Sequence, residues 1–296
     1  MQPKVVCFGE TLWDIFPDKK VIGGAPLNVA LRLHSLGAES SIISRVGNDQ
    51  DGKGILDYLK KESFDDHLIQ IDKELQTGNV QVHLDKMNTA TYTISEPVAW
   101  DRISIEEAHI ERIAQSDAFI FGSLSCRNSI SRNTLFNYLS HAKFKVFDAN
   151  LRPPNYQIKT VIKLMLEADM IKLNDEELEE LITFYQISSK SIEGQIIDLS
   201  KKTTTPIMCI TLGAKGAILY AEGKFYKNSG YKVTVKDTVG AGDSFLASLV
   251  FQLVQTKPFQ KALDTSCAMG SLVASKKGGN AYVSVQEVEN LQNSDK

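Results

Sequence analysis

The 296-residue chain carries 33 Lys and Arg against 36 Asp and Glu, a formal charge of -3, with 43% hydrophobic and 23% charged residues. That length supports a sizeable core, in one large domain or two modest ones. The near-neutral balance makes no electrostatic case for nucleic acid or an anionic membrane as partner. Cys7, Cys126, Cys209 and Cys267 lie far apart, with no C-x-x-C pair and no His cluster for zinc. Reduced thiols in a cytoplasmic protein are the expectation. The N-terminus offers only Val5 to Phe8 as an apolar run before Glu10, which is neither a signal peptide nor a membrane span.

In chain order, Val5 to Gly9 reads as a buried first strand, followed by Glu10 and Asp14 flanking Leu12 and Trp13. Gly23-Gly24-Ala25-Pro26-Leu27-Asn28 then opens a helix, with Pro26 in its first turn and Gly37 ending it. A strand over Ile42 to Val46 and a helix through Ile55 to Leu59 come next. From Gly78 to Ser95, Val80, Val82 and Leu84 alternate with polar residues. A turn at Lys86 to Thr89 and a second alternation at Tyr92 and Ile94 complete a hairpin pattern. The plainer alternative for this segment is an antiparallel edge of the main sheet. From Ile105 the rhythm is regular. A helix to Gln115, a strand at Ala118 to Phe121, a helix and a strand at Phe144 to Phe147 lead to Asp148-Ala149-Asn150-Leu151-Arg152-Pro153. Polar residues after a parallel strand are where open α/β sheets bind ligands. Ala168 to Leu173 is the next strand, and Asn174-Asp175-Glu176-Glu177 opens a helix. Asn174 serves as N-cap there, and Glu177 lies on the same face. Ile207 to Leu212 is a strand running into Thr211-Leu212-Gly213-Ala214-Lys215-Gly216, and a hairpin over Ala217 to Lys227 follows. Tyr231, Val233 and Val235 alternate as in a short strand, and Ala262 to Lys276 is a long amphipathic helix.

Between these last two lies Asp237-Thr238-Val239-Gly240-Ala241-Gly242-Asp243-Ser244-Phe245, read as a strand-to-helix turn. Small residues bend the backbone and admit a ligand, and the helix start presents free N–H groups to an anion. Asp243 is out of place in an anion cradle. Either it caps the helix, or it takes the proton from a hydroxyl attacking a phosphoryl group held at Gly240 to Gly242. No Lys and Ser/Thr pair follows the glycines, so this is not a Walker A loop.

The nine-residue string resembles the signature of the ribokinase-like (PfkB) carbohydrate kinases, and five segments stand in that family's order along nearly the whole chain. The resemblance implies a single doubly wound α/β domain over residues 1–296, with a small β lid from about 11–22 and 78–100. It implies Asp243 as catalytic base and Gly240, Ala241 and Gly242 as the anion hole. Asp14 and Asn28 would bind sugar hydroxyls, with Gly24 letting the sugar near the backbone. Arg152 would reach substrate, with Asp148 holding its loop. Asn174 and Glu177 match an N-x-x-E motif that orders Mg²⁺ and its waters, Glu177 from the outer shell. Thr211, Gly213 and Gly216 would lie along the ATP phosphates and ribose. The family's adenine wall and monovalent-cation loop fall near Gly278-Gly279-Asn280. The usual proline is missing there, so no residue is assigned to a cation. Gly23 to Pro26 and Asp148 to Pro153 look closer to fructokinases than to ribokinases, with ketodeoxygluconate, ribose or a nucleoside as alternative substrates. A regulator that has lost catalysis is the reading from another class. The lid implies a homodimer.

Overall fold

The computed structural model describes residues 2–84 and 90–294. The expected turn at Lys86 to Thr89 lies outside them. The chain opens with β1 (Lys4–Phe8), β2 (Leu12–Ile15), β3 (Lys20–Gly23), α1 (Ala25–Ser35), β4 (Glu39–Gly47), α2 (Gln50–Lys61), β5 (Ile69–Asp72), β6 (Gly78–Leu84) and β7 (Ala90–Ile94). It continues through α3 (Glu107–Gln115), β8 (Ala118–Gly122), α4 (Ser129–Leu139), β9 (Lys145–Asp148), α5 (Ile158–Glu167), β10 (Met170–Asn174), α6 (Asp175–Tyr185), α7 (Ile192–Thr203) and β11 (Ile207–Thr211). β12 (Ala217–Ala221), β13 (Lys224–Asn228), α8 (Ala241–Val254), α9 (Phe259–Ala274) and α10 (Val285–Ser294) complete it.

Nine strands form one sheet in the order β13-β12-β11-β10-β9-β8-β1-β4-β5, and four form a second in the order β3-β2-β6-β7. From β5 to β11 every pairing in the large sheet is parallel, and only the β11-β12-β13 end is antiparallel. Parallel pairing needs covered faces, and the two-residue period of the strands supplies them. Val6 and Phe8 point into one core with Phe119, Phe121 and Phe147, while Val5 and Cys7 point into the other with Leu27, Leu246 and Leu249. Helices lie over both, so the doubly wound expectation holds.

The small sheet settles the hairpin question. β6 and β7 pair antiparallel from Val80 with Ile94 to Leu84 with Ala90, and β6 runs parallel to β2. They are not an edge of the main sheet.

The segment before α8 differs from expectation. Tyr231 to Val235 forms no strand: it joins neither sheet, and Val235 is 58% exposed. Its continuation is held by Lys236 N–H and Asp237 N–H, which both donate to the Ala274 carbonyl at the end of α9. The glycines therefore sit at a loop-to-helix turn. α8 itself is buried along Ser244 to Val250, packed among α1 and α9, which makes its first turn a rigid platform.

Candidate active site

The C-terminal ends of β1, β9 and β10 and the N-termini of α1 and α8 converge on one cluster. Gly240 is the N-cap of α8 at φ 72°, and no side chain caps this helix. Asp243, in the first turn, instead accepts a hydrogen bond from Asn28 Nδ2 at 2.8 Å. The cap reading of Asp243 falls. Its carboxylate is committed across the site to α1, and the N–H groups at the start of α8 stay available to an anion. Burial, then the neighbouring Asp148, push the Asp243 carboxyl up to about 6, against the opposing pull of Asn28, Lys172 and Arg152. A base of that strength is largely ionised at neutral pH and close enough in pKa to exchange a proton.

Asn28 is 7% exposed, and its Oδ1 accepts from Asn280 Nδ2 at 2.9 Å. The chain Asn280–Asn28–Asp243 fixes the amide so that its NH₂ faces the carboxylate. Arg32, one turn further along α1, braces the same junction through Nε to Ser244 Oγ at 3.1 Å and Nη2 to the Ala281 carbonyl at 2.6 Å. Arg32 did not stand out in the sequence, and Asn280 did so only as a departure from the family's pattern, with no link to Asn28. Both belong to contacts spanning more than 200 residues, and no local pattern announces them.

Asp14 lies on β2 with its carboxyl raised to about 6, by burial first and by the Asp243 charge second, with Arg152 opposing. Arg152 is exposed, and its charge is felt by Glu10, Asp14 and Asp243 together. The expected substrate residues Asp14, Asn28 and Arg152 therefore do meet at Asp243. Gly24 also meets a demand of the fold itself. At φ 106°, a β-carbon there would strike the Glu10 carbonyl at 2.4 Å, so its smallness makes room for main chain. The neighbouring Gly23 leaves the space that the Asp14 carboxylate fills, 2.2 Å from where its β-carbon would be.

Glu10 is a group the sequence reading passed over. It is 3% exposed, and its Oε2 has no hydrogen-bond partner among the described residues. With Pro26, Ser123 and Asp148 it lines a small cavity below the α1 N-terminus. Burial is the main reason its carboxyl is pushed up to about 7.

On β9 and β10, Asp148 is 5% and Lys172 7% exposed, with Lys172 Nζ donating to Asp148 Oδ1 at 2.9 Å. Asp148 is thus a strand residue in an ion pair. Asn174 and Glu177 form a capping box at α6: Asn174 Oδ1 accepts from Glu177 N–H at 2.7 Å, and Glu177 Oε2 accepts from Asn174 N–H at 2.8 Å. Glu177 Oε1 accepts from Leu151 N–H at 2.8 Å, tying the Arg152 loop to α6. With both oxygens engaged, Glu177 fits Mg²⁺ only through intervening water. Among the described residues no group of three or more His, Cys, Asp or Glu is placed to cage a metal.

Thr211 ends β11 with its hydroxyl donating to the Leu173 carbonyl at 3.3 Å. Gly213, at φ 57°, opens to free space on its β-carbon side, as a nucleotide-facing glycine requires. Gly216 has a packing reason of its own. Its β-carbon would meet the Asn228 carbonyl at 2.0 Å, so its glycine serves the packing of the chain against the end of β13.

An anion cradle at a helix start, next to a buried carboxylate of raised pKa at the C-terminal edge of a parallel sheet, defines a phosphotransferase with a hydroxyl acceptor. The model of the pfkB family of carbohydrate kinases matches residues 2–285, and the chain belongs to that family. It is 28% identical to probable fructokinase-2 of Arabidopsis thaliana, over 93% of this chain and 91% of that one. It is 26% identical to the Vibrio cholerae fructokinase solved in fructose, ADP and calcium ion bound form, with TM-score 0.83 over 98% of this chain and 99% of that one. A fructokinase with bound ATP from Xylella fastidiosa shares the fold at TM-score 0.87 and 21% identity, covering 100% of this chain and 99% of that one.

Proposed function

We propose that this carbohydrate kinase is an ATP-dependent fructokinase, transferring the γ-phosphoryl group to the 6-hydroxyl of fructose. The observation that carries the mechanism is the Asn28–Asp243 hydrogen bond at the open start of α8. Asp243 takes the proton as the sugar oxygen attacks the γ-phosphorus. The new O–P bond forms, the bond to the β-phosphate oxygen breaks, and ADP leaves. N–H groups at Gly240 to Gly242 stabilise the charge that spreads over the transferred group. Asp14 and Arg152 position the sugar, and Asn28 orients the base. Thr211 and Gly213 line the nucleotide side next to Asn174. Glu177 would anchor Mg²⁺ through water, and the ion would supply charge neutralisation on the polyphosphate.

Fructose as substrate is supported by the relatives' names and by the polar set around Asp243. ATP consumption measured over a panel of sugars tests it. Fructose should give the largest kcat/KM, and a ten-fold preference for ribose or ketodeoxygluconate would overturn the assignment. The small sheet ends in β3 and β7, whose outer edges suit pairing with a second copy in a homodimer. Sedimentation at micromolar concentration should give twice the chain mass, and a monomer there rules the dimer out.

A further inference from the structure

Beneath the anion cradle sits a charge that neither the motifs nor the proton-transfer scheme uses. Lys172, 7% exposed as a residue, projects from β10, and its Nζ donates to Asp148 Oδ1 at 2.9 Å. A β-carbon placed on Gly242 would lie 3.6 Å from that nitrogen, so the ammonium borders the middle residue of the cradle. We infer that Lys172 is a positioning residue for phosphoryl transfer: a fixed cation, held by Asp148 under Gly242, that sustains the cradle as an anion site and keeps Asp243 ionised.

The charges of the site make the case. A group that must receive the transferring phosphoryl is surrounded by the carboxyls of Glu10 after β1, Asp14 on β2, Asp148 on β9 and Glu177 on α6, besides Asp243 itself. Such a field repels an incoming phosphate. The cations felt by Asp243 are Lys172 and Arg152. Arg152 is exposed on a loop and screened by solvent. Lys172 is buried, pinned and directed at the cradle, where a charge acts through little water. Burial works against its charged form, but Asp148, then Glu177 and Asp243, more than offset this, and the ammonium stays protonated across the working pH range.

The inference rests on the kinase mechanism above, and the experiment separates the two. Lys172→Met and Lys172→Arg are compared with wild type for kcat, pH–rate profile, ADP binding, and binding of ADP with aluminium fluoride, a mimic of the transferring group. Lys172→Met should lose about 10²-fold in kcat, the scale of a lost electrostatic donor. Its acid limb should move to higher pH, and the fluoride complex should weaken by at least ten-fold while ADP alone binds within about two-fold of wild type. Lys172→Arg should keep the limb and most of the fluoride affinity. A folded Lys172→Met with wild-type limb and fluoride affinity overturns the inference, as does a Lys172→Arg that loses as much as Met. If Lys172→Met does not fold, Asp148→Asn decides. Removing that negative charge should shift the acid limb to lower pH, and an unmoved limb shows that charge at this pair is not felt at Asp243. Loss of Asp243 function with none of these effects would leave the kinase mechanism standing and this inference refuted.

Discussion

Asn28 Nδ2 donates to Asp243 Oδ2 at 2.8 Å, joining the first turn of α1 to the first turn of α8 across 215 positions of sequence. The bond holds the carboxylate toward α1 and leaves the backbone N–H groups of α8 to an anion. One aspartate can then serve as a base without blocking the cradle it stands in.

Replacing Asp243 with Asn tests that arrangement. Because Gly240 is the N-cap and Asp243 makes no cap bond, the melting temperature should change little. The kcat should fall by about two to four orders of magnitude, the worth of a positioned general base. A folded Asp243→Asn enzyme with near wild-type turnover sinks the mechanism.

The pH dependence follows from the same group. Asp243 titrates at about 6 and acts as a base only when ionised, so kcat/KM should rise with pH through a midpoint near 6. Removing the Asn28 donor takes away a contact that favours the carboxylate. Asn28→Ala should therefore move the midpoint upward and raise KM for the sugar. A midpoint unmoved in that variant would detach Asn28 from the base.

Glu10 makes a stability prediction. Its folded pKa of about 7 lies above its unfolded value, so the folded state holds a proton that the unfolded state releases at lower pH. Wild-type stability should decline as pH rises from roughly 4 to 7, and the full penalty is present above that. Glu10→Gln cannot ionise. Its urea midpoint relative to wild type should therefore be higher at pH 8 than at pH 5. An equal difference at both pH values would refute the assignment.

The two glycines after β11 separate ligand contact from folding. Alanine at Gly213 faces open space and should cost about 1 kcal/mol for the left-handed backbone, with a raised KM for ATP. Alanine at Gly216 adds a clash with the Asn228 carbonyl to the same kind of strain, so its loss of melting temperature should be at least twice as large. Thermal denaturation of the pair, with ATP kinetics of whichever variants fold, checks both.

The alternation of strands and helices was legible because each element writes its burial into a local period. Val5 to Phe8 is fully buried on both faces and reads as a continuous apolar run, and α1 is bounded by Pro26 and Gly37. Tyr231 to Val235 misled, since alternation there had no partner strand to satisfy. The reason for Gly24 was also out of reach, because the carbonyl that demands it belongs to the β1–β2 connection folded against it.

By itself the sequence determined the α/β layering, the glycines that open a helix at 240–242 and the candidacy of Asp14, Asn28, Arg152 and Asp243. The layering is set by short-range spacing and residue type, and the candidate residues stand on motifs that resemble those of the family. Only the tertiary structure decided that Asp243 is bonded to Asn28 rather than capping α8, that Glu177 spends both oxygens on backbone N–H groups, and that Lys172 lies under Gly242. The physical reason is that a side chain's charge state and partners depend on what burial brings beside it. In this fold those neighbours come from strands and helices far apart in the chain.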